Sequence, residues 1–509
     1  PSPLAAEARE VQLSRLPPDE ARALASELLS TSAAGSPRAE LSADAIAEEA
    51  GGHPLFIDEL VRHALAARAD RGAPLHLEDA LWDRVRRLDA DAQRVLELVA
   101  VAGGPIVQAA AARAADIDFA TFAQHAATLR AANLVRTTGT RQADLIEPYH
   151  DRVRATIESH RTAAEVRRAH ERIALGLEAT GRADAEALAM HWQGAGENDK
   201  AAAYATQAAE RAYKALAFDR AAQLYRQTLV MRPPGAPDVA SLQVRLGDAL
   251  AQTGRGAEAA RAYLSAAERS APTDALELKR RAAEQLLRAG HVDEGLHAMT
   301  PVLAAVKLRV PESPRAALMS LLWRRAQLRM RGVSFKRRQP SEVAPSVLAR
   351  VDAAWSAAVG LGNVDTIRGA DFATRHLLLA LKAGEPSRVA RALAFEACLT
   401  AAMGADGVAR ANALAAEAEK IADEVKDAHA TGLAVAARAI ALHMNGHWRD
   451  CLPFFDEAER IFRERCTGVA WELATGNPLR SYSLARLGEL TELSKNVTAV
   501  LQEAEQRGD

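Results

Sequence analysis

A pattern of small and large residues at helix spacing, repeated along the chain, constrains this sequence more than any other feature in it. Leu246-Gly247, Leu250 and Gly254 are followed by Ala259, Tyr263 and Ala266. On a pair of antiparallel helices this spacing puts small residues where the first helix crosses the second. A large residue then fills the gap between neighbouring pairs. The second half of the pattern recurs as Ala221, Tyr225, Thr228 and Pro233, and again as Gly290, Gly295 and Met299. Equivalent positions 221, 259 and 295 lie 38 and 36 residues apart. Hairpins that cannot bury an apolar face alone must stack on one another, so the pattern predicts an α-solenoid winding into a right-handed superhelix. Looser copies follow: Gly384 with Ala390, Ala394 and Ala397; Gly446 with Cys451, Phe455 and Ala458; Gly488 with Leu493 and Val497.

Composition agrees. Apolar residues make up 49%, chiefly Ala and Leu, and aromatics only 4%. Ala favours helices, whereas the β-branched and aromatic residues that favour strands are scarce. The fold class expected is all-α. The 509 residues allow about three or four domains. With 64 basic and 66 acidic residues the formal charge is -2, which excludes a strongly basic nucleic-acid coat or an acidic tail as the global description. Cys398, Cys451 and Cys466 are too few for a disulfide framework and too scattered for a zinc site, which fits a reducing cytoplasm. No apolar run approaches the roughly 20 residues that cross a bilayer. Pro1–Glu10 is polar and helix-like, unlike a signal peptide, and the chain reads as a piece of something longer.

Along the chain, Val11–Leu16 reads as a short strand ended by Pro17-Pro18. Helices follow over Asp19–Leu29, over Ala43–Ala50 with Ser42 as N-cap, and over Leu55–Arg68 with Pro54 in the first turn. After Ala73-Pro74, helical patterns cover Leu77–Leu88, Ala92–Val101, Ile106–Ala115 and Phe119–Ala132. The period then changes: Leu134–Arg136 and Leu145-Ile146 flank Gly139 as a hairpin. Helices followed by a two-stranded wing form the winged-helix pattern. From about residue 160 onward no strand is expected.

Several of these segments resemble known families. The repeated pattern resembles the tetratricopeptide repeat, whose consensus is about 34 residues. Gly52-His53-Pro54-Leu55-Phe56, with Asp58-Glu59-Leu60-Val61, resembles the segment in the helical lid of STAND-type signalling ATPases. The resemblance implies that Pro54 packs against adenine; the plainer reading makes Pro54 a helix starter. Tyr149-His150-Asp151 resembles the motif in which that family's His reaches a nucleotide phosphate; the plainer reading makes His150 and Asp151 caps of the next helix. The block from Trp355 through Val364–Phe372 and Arg375-His376-Leu377 to Gly384-Glu385-Pro386 resembles the C-terminal helical region of multidomain bacterial serine/threonine protein kinases, myxobacterial ones especially. Those chains run kinase, STAND-type AAA ATPase, then repeats.

The sequence holds no Gly-Lys-Ser/Thr P-loop, no kinase catalytic loop, no His-Glu-x-x-His and no Cys-x-x-Cys. No catalytic or metal-ligating residue is therefore named. ATP or ADP is expected only together with a P-loop core. One basic stretch stands out: Arg324, Arg325, Arg329, Arg331, Lys336, Arg337 and Arg338, interleaved with Trp323 and Phe335 and with no acidic residue from Leu321 to Arg338. It reads either as a groove for an anionic or protein partner or as a solvated helix face offset by acidic neighbours. DNA is not an expected partner, because the helix Phe119–Arg136 carries only Arg130 and Arg136 as basic residues. No membrane partner is expected.

The domains expected are the end of an ATPase core with its helical lid over 1–72, a winged helix over 73–158, a helical linker with the first hairpins over 159–235, and a TPR-like α-solenoid over 236–509. The function expected is the sensor and protein-interaction region of a cytoplasmic signalling kinase with a STAND module, taking a protein partner or small inducer on the repeats. The alternatives are a STAND-type, LuxR-like transcriptional activator and a nucleotide-independent scaffold.

Overall fold

The computed structural model describes residues 14–32, 39–66, 76–362 and 365–507. The chain is almost wholly helical, with one small sheet among the described residues. It divides into two compact units, Pro1–Tyr204 and Ala205–Asp509, so the helices from residue 205 belong with the later repeats. Pro1–Glu10, Val11–Leu13, the boundary at 72/73 and Val364 lie outside the described residues.

In the first unit, α1 (Pro18–Ser32), α2 (Ala39–Ala50) and α3 (Pro54–Ala66) pack on one another. Ser14–Leu16 takes no strand; its one rung is a hydrogen bond from Leu16 N–H to the Gly52 carbonyl at 2.9 Å. The helix α2 begins upstream of Ser42, which therefore lies inside it and is not the N-cap. Next come α4 (Leu77–Arg86), α5 (Ala90–Val101), β1 (Ile106–Val107), α6 (Gln108–Ala115), α7 (Phe119–Ala131), β2 (Val135–Thr137), β3 (Leu145–Pro148) and α8 (Asp151–Ser159).

The caps follow the sequence. The Asp89 carboxylate accepts from Ala92 N–H, and Asp118 accepts from Ala120 and Thr121 N–H. The expected hairpin forms, but Ile106-Val107 is a strand and not the start of a helix. It pairs antiparallel with β3, Ile106 opposite Ile146, giving the order β1-β3-β2. Gly103, Gly104 and Pro105 break the helical path just before it. The buried Gln108 amide then fastens the hairpin turn by donating to the Gly139 carbonyl at 2.9 Å. The helices α9 (Ala163–Glu178) and α10 (Ala185–Gly194) complete the unit, and α11 (Asn198–Lys214) runs into the next. Thr162 and Glu165 form a reciprocal capping box at the start of α9.

The second unit holds α12 (Phe218–Met231), α13 (Val239–Gln252), α14 (Gly256–Ala267), α15 (Pro272–Arg288) and α16 (Val292–Ala305), each packed on the next. Helix crossing follows the sequence pattern. A Cβ on Gly247 would stand 2.6 Å from the Tyr263 ring, and Ala221, Ala259, Tyr263 and Ala266 are buried. The row then breaks step. Helix α17 (Pro314–Arg331) packs on α19 (Thr366–Ala383), while α18 (Pro345–Gly362) takes the place against α15 and α16. An extended stretch before α18 passes over Gly384, the left-handed cap of α19. Gly384 has φ +78°, and a Cβ there would collide with the Lys336 carbonyl, so only glycine fits. Stacking resumes with α20 (Pro386–Ala401), α21 (Ala405–Glu424), α22 (Ala428–Met444), α23 (Trp448–Arg465), α24 (Ala470–Leu487) and α25 (Leu490–Arg507). Ala390, Ala394, Ala397, Cys451, Phe455 and Ala458 are buried as expected, but Val497 is 46% exposed. The start of α24 returns to the α13–α15 region: Gly468 lies against Gln252, and the Arg288 guanidinium sits 5.1 Å from the Trp471 ring.

Candidate functional site

The two motif segments of the first unit meet. Gly51 and Gly52 both take positive φ and turn the chain sharply into α3, and a Cβ on Gly52 would collide with the Leu16 carbonyl. The His53 carbonyl accepts from Phe56 and Ile57 N–H at 3.0 and 3.1 Å, so His53 stands at the helix N-cap with Pro54 exposed in the first turn. The His53 ring stacks on Phe56, centroids 4.4 Å apart. His150 presents an edge to both, 4.8 Å from Phe56 and 5.3 Å from His53.

Burial, then the neighbouring His150, then Arg15 lower the His53 pKa. The His53 Nδ1 is buried with no hydrogen-bond partner. His150 caps α8: its Nδ1 accepts from Arg152 N–H at 3.1 Å. A nitrogen that accepts an amide hydrogen carries no proton, so in neutral His150 the proton sits on Nε2. The capping role read from the sequence is thus present, and it leaves one ring N–H to donate elsewhere. Beneath, the buried Glu59 is paired with Arg84, and burial raises its pKa against that pairing. Sequence reasoning named Pro54 and His150 but missed His53 and Phe56 as the rings that meet His150. The adjacency of His53 to Pro54 was the available signal.

The basic stretch does not act as one surface. Arg324 approaches Asp371 at 3.4 Å, Arg325 pairs with the buried Glu396, and Arg337 pairs with Glu424. Arg331 donates to the carbonyls of Gly332 and Ser334 at 3.0 and 3.1 Å. The Arg338 backbone N–H donates to the Gly384 carbonyl. Arg329 and Lys336 are exposed. Trp323 is 69% exposed whereas Phe335 packs on the core around α19 and α20, so the two aromatics do not line one groove. The acidic partners come from α19, α20 and α21, as the offset-face reading requires.

A larger charged network escaped the sequence reading. Glu277, Arg280, Glu284 and Arg288 pair successively along α15 at 2.6, 2.7 and 2.8 Å. The Ser356 hydroxyl of α18 donates to Glu284 at 2.5 Å. Asp352 of the same helix pairs with Arg388 and Arg391 of α20 at 2.6 and 2.9 Å. Burial raises the Glu284 pKa, but Arg288 and Arg280 outweigh it and bring it down to about 2. The i, i+3 and i, i+4 spacing along α15 was the visible signal. No group of three or more His, Cys, Asp or Glu side chains that could hold a metal occurs among the described residues.

No family model matches this chain, and no curated protein matches it. Among solved structures it is similar to a STAND protein with a tetratricopeptide repeat sensor from Pyrococcus horikoshii, at 13% identity and TM-score 0.38, covering 97% of this chain and 73% of that one. It is also similar to the TPR domain of P58(IPK), at 13% identity and TM-score 0.19, covering 92% of this chain and 99% of that one.

Proposed function

We propose that this chain is the sensor and protein-interaction region of a cytoplasmic signalling serine/threonine protein kinase with a STAND-type ATPase module. In this reading residues 1–72 close the nucleotide core and form its lid, and 73–158 form a winged helix used for packing. The hairpins that follow receive a protein partner or a small inducer. Occupancy of the hairpins biases the equilibrium between nucleotide states, because a ligand shifts a two-state element only by its differential affinity for the two states. ATP or ADP belongs to a P-loop core, a motif absent from this sequence. Pro54 offers an apolar face to adenine, and the His150 Nε2–H donates to a phosphate oxygen. No catalytic step is assigned to the chain.

The observation that carries this reading is the meeting of His53, Phe56 and His150 at the N-terminus of α3. Two motifs far apart in sequence that are read toward one nucleotide stand side by side. The three cysteines are free, and no described helix is long and apolar enough to cross a membrane. ADP affinity tests the proposal, measured calorimetrically on a polypeptide carrying a nucleotide-binding core ahead of Ser14. Pro54→Ala and His150→Ala each weaken ADP about tenfold, a loss of about 1.4 kcal/mol. Unchanged affinity in both variants removes the nucleotide role.

A scaffold that binds without nucleotide is favoured by one feature. Helix α17 exposes Met319, Leu322, Trp323 and Met330 on its outer side. Capture of a partner by the chain, indifferent to ATP and ADP, selects that reading.

A further inference from the structure

A cavity of about 500 Å³ opens between the turn after α16 and the helices α17, α18 and α19. Seven of its lining residues are basic and none is acidic. Lys307 and Arg309 come from the turn, Arg324 and Arg331 from α17, Arg350 from α18 and Lys382 from α19. The seventh, Arg375, is only 7% exposed. It donates to the Arg309 carbonyl at 2.6 Å, and Arg350 donates to the Lys307 carbonyl at 3.3 Å, which anchors both guanidinium groups in the wall.

The one carboxylate paired with any of these groups among the described residues is Asp371. It is wholly buried behind the cavity, accepts from the Ser320 hydroxyl at 2.8 Å, and contacts Arg375 at 2.6 Å and Arg324 at 3.4 Å. A single negative charge thus faces seven positive ones. The Nε atoms of Arg350 and Arg375 are buried without a hydrogen-bond partner, and the buried Nε of Arg324 has only the Asp371 carboxylate, at 3.4 Å. Burial pulls the Arg375 pKa below its ordinary range, Asp371 opposes that, and Arg324 adds to it. Converging cations with unsatisfied donors in a concave, partly desolvated site are stabilised by an anion with several oxygens, and arginine forks match phosphate geometry. The apolar side chains Leu308, Leu378 and Leu379 line the same space.

We propose that this cavity binds a small polyphosphorylated ligand, its phosphates held by the arginines and its uncharged portion set against Leu378 and Leu379. The volume suits a small molecule. A nucleic acid or an acidic peptide would need a basic track, whereas these groups converge on one hollow, and Arg329 and Lys336 do not line it. This deepens the reading of the hairpins as the ligand-receiving part and rests on it.

Titration calorimetry of the full chain with inorganic pyrophosphate and tripolyphosphate, at about 0.15 M salt to screen loose surface attraction, tests the site. One saturable site per chain is expected, with tripolyphosphate the tighter ligand. Arg309→Glu and Lys382→Glu, both at exposed positions, each weaken it more than tenfold with circular dichroism unchanged. Arg329→Glu, on α17 outside the cavity, leaves it unchanged. Absence of saturable binding by both phosphates at millimolar concentration overturns the proposal, and so does equal weakening by Arg329→Glu. Single-stranded RNA or anionic vesicles bound in place of the phosphates, and lost in the same variants, overturn it in favour of a macromolecular partner. Neither Pro54, His150 nor ADP enters this measurement. Its failure leaves the nucleotide reading standing, and failure of the ADP test leaves this site standing.

Discussion

At the scale of single residues, two buried histidines make the fold lose stability as the pH falls below neutral. His376 is wholly buried, and its Nδ1–H donates to the Val351 carbonyl at 3.1 Å while Nε2 has no partner. Protonation would place a charge on that unpartnered nitrogen beside Arg391. Burial first, and Arg391 second, push the pKa down to about 3. His191, whose Nδ1 lies 2.9 Å from the Nδ1 of His170, is lowered to about 4, again mainly by burial. A folded-state pKa below the unfolded value of about 6.5 means that the unfolded chain binds more protons. The corresponding stability is complete above that unfolded value and falls as pH drops toward 4 and then 3. Each group adds a slope of at most about 1.4 kcal/mol per pH unit. Urea midpoints measured from pH 7 to pH 5 should fall, and less steeply for His376→Leu than for the parent. An identical slope in the variant would contradict this account.

At the scale of elements, the repeats depend on where side chains are missing. Gly247 lets α13 lie against the Tyr263 ring of α14, whose hydroxyl donates to Asp248 at 2.8 Å. Gly247→Ala adds a methyl group to that contact and should destabilise the second unit by about 1–3 kcal/mol, read as a lowered urea midpoint. An unchanged midpoint would mean that the hairpin crossing has slack. This part of the fold was legible because the pattern is local: Gly247 and Tyr263, or Ala390, Ala394 and Ala397, lie within one hairpin or one helix. β1 was not legible, since two residues carry no period and Ile106-Val107 fits the first turn of a helix equally well. The displacement of α17 onto α19 was hidden too, because a repeat pattern assumes that each hairpin follows the last. Of the candidate sites, Pro54 and His150 were readable from short motifs, while His53 and Phe56 meet His150 only through tertiary contact. Arg324 and Arg331 were visible as charge. Their convergence with Lys307, Arg350 and Arg375 was not, because those residues come from separate elements.

At the scale of the whole second unit, contacts are not confined to neighbouring hairpins. Arg288 of α15 pairs with Glu284 at 2.8 Å, approaches Glu472 of α24 at 3.9 Å and covers Trp471; His429 of α22 meets the same Glu472 at 3.0 Å. A row of hairpins held only by adjacent interfaces unfolds progressively, whereas a contact between distant members couples them. Trp471→Ala should broaden the urea transition of this unit and lower its m-value, following the loss of coupled surface exposure. A shifted midpoint with an unchanged m-value would show that the contact adds stability without adding cooperativity.

The return of α24 to α15 also changes what a cut in the backbone can do. An open row would shed its last members one by one after cleavage. Here a single nick in the turn between α19 and α20 leaves both pieces gripping each other at two places, along the cut interface and across the Arg288–Trp471 seam. The severed halves would therefore travel together through a sizing column, behaving as a clasped bracelet with one broken link.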